Sequence, residues 1–376
     1  MRIITAGESH GEYLSVIIEG FPKGVVVDAG TINQELKKRM AGYGRGKRMS
    51  IESDKVHIIS GLRNKTSLGS PIAMLIKNRD WQIFAQDSDK LPAINLPRPA
   101  HADLAGALKY GENDVRNILE RASARETAMR VCAGSACKQF LKNFGVEFAS
   151  FTVSIGEAVS LSRPANIKAI QQGVQGSQLN CIDRNKEKAM ISEIEKAQKK
   201  GDSLGGVIEV WASGVCPGLG SCMQYDKRLD ALLASAMISI PSIKGVEMGL
   251  GFEYARMPGS KGHDEIFYSK QKGFYHNTNN SGGIEGGMSS GEPIVLRVAM
   301  KPIATLITPL HSVNLLSKKE QKAAVVRSDT CAVAAAGAVA ESMMAITLAQ
   351  AYMEKFGCDG LSEIVANFKN YMKSIR

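Results

Sequence analysis

Short apolar runs recur along the chain with turn residues between them, and their lengths and β-branched content predict strands. The runs are Arg2–Ala6, Leu14–Phe21, Val56–Ser60, Pro71–Lys77, Phe148–Ile155, Gly206–Trp211 and Pro293–Met300. Several alternate in polarity, as in Val207-Ile208-Glu209-Val210, which suits a sheet with one solvated face. Other stretches follow the 3.6-residue helical period. Thr31–Met40 has Asp28 or Thr31 available as N-cap, and Asn185–Lys200 sets a charged face over an apolar stripe. Asp226–Ser239 repeats apolar residues at Leu229, Leu232, Leu233, Ala236 and Met237. Two long Ala- and Gly-rich helices are predicted, from about Arg125 to Phe144 and from about Cys331 to Phe356. Each opens on an Arg/Ser segment (RASARET, RSDTCAV) and ends in Phe-Gly. That likeness reads either as a weak internal duplication or as chance similarity between Ala-rich helices.

No low-complexity linker divides the sequence, so one domain, with that pseudo-repeat as an option, is the expected organisation. With 44% hydrophobic and 22% charged residues the chain has the composition of a globular protein with a sizeable core. Aromatics supply only 6%, so aliphatic side chains and 16 Met must fill that core. The N-terminal MRIITAGESHG lacks the apolar h-region of a secretory signal, and no run of 18 apolar residues occurs. The seven Cys form no CxxC pair and read as reduced, mostly buried thiols. A cytoplasmic location without a membrane partner is the expectation.

The net charge of +10 has a bland reading, a solvated Lys-rich surface, and a sharper one that concerns arginine. Arg39, Arg45, Arg48, Arg98, Arg121, Arg125, Arg130 and Arg327 stand beside Gly, Ser, His or Asp rather than in Lys/Glu mixtures. Their planar forks suit phosphate and carboxylate, which favours an anionic small ligand. Binding to nucleic acid is the rival reading, but aromatic interleaving among the basic residues is missing.

Candidate chemistry gathers at punctuated motifs. Gly7-Glu8-Ser9-His10-Gly11 follows a predicted strand and offers an imidazole for proton transfer, or simply a polar turn. Arg39-Met40-Ala41-Gly42-Tyr43-Gly44-Arg45-Gly46-Lys47-Arg48 mixes cations with alternate glycines; it is a phosphate-binding loop or a flexible basic surface loop, but not a Walker A sequence. Arg98-Pro99-Ala100-His101-Ala102-Asp103 sets a second His ahead of a helix, with Asp103 as its cap in the plainer reading. Arg121-Ala122-Ser123-Ala124-Arg125 and Arg327-Ser328-Asp329 each enter a long helix, where Arg and Ser make an anion site and Ser or Asp alone makes an ordinary cap. Ser281–Gly291 is a Gly/Ser loop, either linker or ligand bed, and Lys301-Pro302-Ile303-Ala304-Thr305 follows a strand. The six His show no metal-ligand spacing, and no GxSxG is present.

GESHG, RMAGYGRGKRM, RPAHADLAG, RASARETAMRV, SGGIEGGMSSG, KPIAT and RSDTCAVAAAGAVAESM, in that order, resemble the chorismate synthase family over nearly the whole chain. The resemblance implies an α/β fold, a β-α-β sandwich of antiparallel sheets around a helical core, and a homotetramer. It also implies reduced FMN beside 5-enolpyruvylshikimate 3-phosphate, which loses its 3-phosphate and a C6 hydrogen to give chorismate. NADPH enters as an external or intrinsic flavin reductant, a flavin reductase being a further rival reading. By the same resemblance His10 assists at the phosphate side, His101 keeps the flavin protonated, and Asp329 helps remove the C6 hydrogen. Ser9, Arg39, Arg45, Arg98, Arg125, Arg327 and Ser328 hold substrate anions. The cofactor falls to Arg121, Ala122, Ser123, Pro241, Ser242, Gly286, Lys301, Pro302, Ile303, Ala304, Thr305 and Arg327, with Arg39 and Arg45 also given to NADP. Three positions depart from the family pattern: Ala100 for the usual Gly, Ala122 for a frequent Ser and Ala334 for a frequent Pro. Ala100 is expected to alter the turn that presents His101.

Overall fold

The structure, a computed structural model, describes residues 1–46, 53–79, 81, 92–325 and 329–375. The predicted apolar runs become two antiparallel sheets. The first holds β1 (Arg2–Ala6), β2 (Tyr13–Glu19), β3 (Val56–Ile58) and β4 (Ile72–Lys77) in the order β1-β2-β4-β3. Register pairs Ala6 with Ser15 and Tyr13 with Lys77, so the loops after β1 and β4 leave from the same end of the sheet. The second holds β5 (Glu147–Ile155), β6 (Ala158–Val159), β7 (Gly206–Ser213), β8 (Ile243–Met248) and β9 (Ile294–Met300) in the order β8-β9-β7-β5-β6.

Between the sheets lie α1 (Ala29–Met40), α4 (Thr127–Leu141) and α7 (Val333–Phe356). Outside or at the rim are α2 (Asp103–Tyr110), α3 (Arg116–Ala122), α5 (Arg184–Lys200), α6 (Leu229–Ile238) and α8 (Leu361–Ser374). α4 faces β2 and β4, whereas α7 faces β5 and β7, which gives a β-α-β sandwich. Small residues explain how the central pair packs so closely: a Cβ on Gly134 of α4 would lie 2.3 Å from the Ser342 Cβ of α7. One apolar cluster runs from Leu14, Val16, Ile72 and Met74 of the first sheet, through Phe140 and Leu348, to Ile208, Val210 and Leu296 of the second. Burying each such Leu, Ile or Phe contributes about 1.5–3 kcal/mol. α7 is long and apolar enough to cross a membrane, yet 89% of its apolar window is buried inside the protein, so it is a core helix.

A charged key sits in the helical layer. Lys138 of α4 bonds Glu35 of α1 and, at 2.6 Å, Glu341 of α7, whose other oxygen accepts from Ser150 at 2.7 Å. Burial alone would raise the Glu35 carboxyl, but the Lys138 and Lys38 cations override it and hold it down at about 2. Five of the seven Cys are buried and two exposed, all as free thiols.

Element ends differ from the sequence reading for local reasons. α1 begins at Ala29 because the Asp28 side chain accepts from Thr31 N at 2.9 Å. The expected helix Asp226–Ser239 divides into a 3-10 turn, Tyr225–Lys227, and α6, because Arg228 between them is extended. β8 is a strand that apolar runs did not reveal: Lys244, Gly245 and Glu247 interrupt it, and the register shifts between Ile243 and Gly245. Glu209, read as a solvated alternation, is 5% exposed and accepts from Trp211 Nε1 and Arg297 Nε, both at 2.7 Å.

Candidate active site

The loop after β1 carries Ser9 and His10. Gly7 makes the turn at φ +104, and a Cβ there would lie 2.4 Å from the Tyr13 carbonyl oxygen. Glu120, near the end of α3, grips the turn: its backbone oxygen accepts from Ser9 N at 3.0 Å, Oε2 from His10 N at 2.8 Å, and Oε1 contacts His10 Nδ1 at 2.7 Å. From the end of β4, fully buried Asn78 donates to the Gly11 carbonyl at 2.6 Å and accepts from Arg125 Nε at 2.9 Å.

Arg125 then donates from Nη1 to both oxygens of Asp54, at 2.7 and 2.8 Å. Arg39, in the last turn of α1, places Nη1 3.6 Å from the same carboxylate and donates to Thr127 Oγ1 at 2.9 Å and the Ala124 carbonyl at 2.8 Å. Two buried guanidiniums therefore share one buried carboxylate. Arg39 Nη1 makes no hydrogen bond among the described residues. Burial pushes the Arg39 guanidinium down to about 10, with Arg125 and Arg45 adding to the effect against Asp54, so it is still charged at neutral pH.

The glycine-rich loop is packed rather than free. Gly44 at φ +86 offers its carbonyl to Thr330 N at 2.8 Å, and a Cβ there would meet Ile194 at 2.9 Å. Arg45 Nε lies 3.0 Å from Asp329 Oδ2, and Gly46 N donates to Oδ1 at 2.6 Å. The Arg45 side chain is only 12% exposed, which removes the reading of a basic surface loop for this part. Arg48, Arg327 and Ser328 lie outside the described residues.

The second histidine has its own arginine. Arg98 donates to Asp103 from N at 3.0 Å, Nε at 2.8 Å and Nη2 at 3.1 Å, and from Nη1 to Thr305 Oγ1 at 3.2 Å. The His101 ring bonds Asp103 Oδ1 through Nδ1 and stands 3.0 Å from Arg98 Nη2. Asp103 is thus not a helix cap: Ala102 holds that position without a side-chain bond. Burial opposes ionisation of Asp103, but the hydrogen bonds from His101 and Arg98 hold its carboxyl well below the usual range. Ala100 keeps the turn by adopting φ +60, a left-handed conformation that disfavours any residue with a Cβ.

The expected cofactor residues fall into one ring and one outlier. Arg121 donates to the Thr5 carbonyl at 2.8 Å, next to the start of the Ser9–His10 loop, and Ala122 ends α3. The Ser123 hydroxyl accepts from Arg125 N at 3.3 Å and so also caps a 3-10 turn. Arg130 links Glu126, at 2.8 Å, to the Ser239 carbonyl, at 3.1 Å, just before Pro241. Ser242, at φ +71, accepts from Lys301 N at 2.9 Å. Farther along, the Ile303 carbonyl accepts from Ser203 Oγ at 2.7 Å, and Leu204 N reaches the Thr330 carbonyl at 2.9 Å, beside Asp329. Pro302 and Ala304 complete the stretch from Lys301 to Thr305. Gly286 does not join this ring. It turns a hairpin, Ile284–Glu285 with Met288–Ser289, seated at the start of α6, about 15 Å of helix away from the Ser239–Ser242 end.

Sequence reasoning missed Glu120, Asp54 and Asn78. Glu120 reads as a surface charge of a short helix, and Asp54 and Asn78 stand in no motif; only their closeness in space to His10 and Arg125, which their distance along the chain hides, marks them. Among the described residues no three His, Cys, Asp or Glu gather as a metal site.

Comparison with known proteins covers the whole chain. The family profile described as Chorismate synthase matches residues 1–353. Chorismate synthase of Desulforudis audaxviator is 49% identical over 383 residues, spanning 100% of this chain and 98% of the relative. That of Pelobacter propionicus is 50% identical over 390 residues, at 100% and 99%, and that of Aquifex aeolicus 47% over 391 residues, at 100% and 98%. A crystal structure of a chorismate synthase superposes with a TM-score of 0.82 at 42% identity, covering 100% of this chain and 98% of its own. With sandwich, motifs and relatives in agreement from end to end, the chain belongs to the chorismate synthase family, carbon–oxygen lyases of the shikimate pathway.

Proposed function

We propose that the loops carrying His10, Arg45, His101 and Asp329 form the site where 5-enolpyruvylshikimate 3-phosphate is converted to chorismate and inorganic phosphate beside reduced FMN. The observation that carries this reading is the guanidinium cluster around Asp54. Among the described residues, Arg39, Arg45, Arg125 and Arg130 stand against the carboxylates Asp54, Glu126 and Asp329, and the buried Arg39 Nη1 has no hydrogen bond there. A buried cation in that condition is relieved by a phosphate or carboxylate ligand. Lys301 fits the same need on the cofactor side, since burial and the neighbouring Lys244 push its ammonium down.

The reaction breaks the C6–H bond and the C3–O bond, and the electron pair released at one end leaves with phosphate at the other. The chemistry that reduced FMN supplies when bound is transient electron donation to the allylic system, so no net oxidation results. Arg39, Arg45, Arg98 and Arg125, with Ser9, Arg327 and Ser328, hold the anionic groups in place. Because Glu120 occupies Nδ1 of His10, a proton given to the departing phosphate moves through Nε2. His101, whose Nδ1 is likewise taken by Asp103, serves as the acid that keeps the cofactor protonated. Asp329 assists loss of the C6 hydrogen. Arg121, Ala122, Ser123, Pro241, Ser242 and Lys301 to Thr305, but not the outlying Gly286, hold FMN, with NADPH or another external reductant supplying its electrons.

The same reading includes a cytoplasmic homotetramer acting on a small molecule rather than on nucleic acid or membrane. The outer face of the first sheet supports assembly, since paired Ile4 and Ile17 stand 45% and 44% exposed there. The test is direct: protein, chemically reduced FMN and substrate are mixed without oxygen, and chorismate absorbance and phosphate are followed. Equal yields of both are expected, and protein that forms neither overturns the reading.

A further inference from the structure

We infer that Glu120 is a positioning residue for the reaction, acting through His10, an inference that rests on the role of His10 proposed above. α3 fully buries none of its residues, so its place is not set by the core. Its last turn is instead spent on the loop after β1. Arg121 donates from Nη2 to the carbonyl and hydroxyl oxygens of Thr5, at 2.8 and 2.7 Å, and Glu120 takes the turn itself.

Each Glu120 carboxylate oxygen contacts His10. Oε2 accepts from the His10 peptide N–H at 2.8 Å and Oε1 contacts the His10 ring at 2.7 Å, while the Glu120 carbonyl accepts from Ser9 N at 3.0 Å. A single carboxylate bonded to the backbone and the ring of the same histidine fixes both side-chain torsions at once. It also selects the tautomer, because an acceptor-only carboxylate requires hydrogen on Nδ1 and leaves proton exchange with substrate to Nε2. A Glu on a half-exposed helix is ordinarily a solvated charge. Here its side chain is 22% exposed and reaches 110 residues back along the chain.

Glu120→Gln tests this in the FMN-loaded enzyme. An amide keeps the shape but offers one acceptor oxygen to two donors, so the ring loses its fixed orientation. The expected result is a fall in kcat of about 10–100-fold with little change in KM, the scale on which a misplaced catalytic group acts. Glu120→Gln added to His10→Ala is expected to lower kcat no further, because its effect passes through the ring. A purely structural residue would instead lower both backgrounds alike, and that additive outcome overturns the inference. A full-rate Glu120→Gln beside an impaired His10→Ala overturns it while leaving the reading of His10 standing. A full-rate His10→Ala overturns both. Should Glu120→Gln not fold, Glu120→Asp serves the same cycle, since it keeps the charge but shortens the reach by one methylene.

Discussion

The two histidines are each held by a carboxylate, but in opposite ways. Asp103 lies two residues from His101, is fully buried and also carries the Arg98 guanidinium. Glu120 lies 110 residues from His10, is 22% exposed and serves the His10 turn. The first pair is a local knot; the second joins two distant stretches, and on the proposed reading the first serves folding and chemistry together while the second serves mainly alignment. Burial decides the difference, because a carboxylate removed from a dry site leaves a cation without its counter-charge, whereas water compensates at the rim.

The largest effects expected are on the imidazoles themselves. His10→Ala and His101→Ala should each lower turnover by about 10²–10⁴-fold in the anaerobic assay, the usual range for positioned acids and bases. Loss of rate in one alone would break the symmetry between the pairs. Next in size, Asp103→Ala should cost about 3–5 kcal/mol in denaturant unfolding, since it strands the buried Arg98. Glu120→Ala, at the partly wet rim, should cost no more than about 1 kcal/mol by the same measurement.

The pairs should also differ in acid. The Asp103 carboxyl is depressed in the folded state, so its stabilisation is present above the ordinary carboxylate range and is lost as pH falls below it. Glu35, held at about 2, works in the same direction across the interval from its ordinary value near 4.5 downward. Unfolding free energy should therefore decline as pH drops through that interval, and Asp103→Asn should flatten part of the decline. The smallest effect belongs to the turn before His101. Ala100→Gly should raise stability by about 1 kcal/mol by releasing the left-handed φ, read as a Tm increase of roughly 1–2 °C.

The contrast also sorts what a sequence can reveal. Strands such as Ile72–Lys77 and Ile294–Met300 are continuous apolar runs and were legible; Ile243–Met248 was not, because Lys244, Gly245 and Glu247 break the pattern that its pairing with β9 completes. Arg39, Arg45, Arg98, His10 and His101 stood out because cations and imidazoles beside glycines do little for a core. Asp103 was visible only as a cap in the plainer of two readings, since its geometry with Arg98 depends on the turn at Ala100. Asp54 and Asn78 were silent: they meet Arg125 across 71 and 47 residues, and no spacing rule encodes such contacts. Gly286 shows the reverse case, a motif residue whose place in the single chain lies away from the ring around Lys301.

The central claim is that substrate and FMN occupy adjoining parts of one cationic site. Titrating FMN into the protein with and without saturating 5-enolpyruvylshikimate 3-phosphate tests it most directly, because coupled ligands must shift each other's affinity by the same factor. A change in the FMN Kd of about 5-fold or more is predicted, mirrored in the substrate Kd when the roles are exchanged. An FMN Kd that is the same in both titrations would contradict the account.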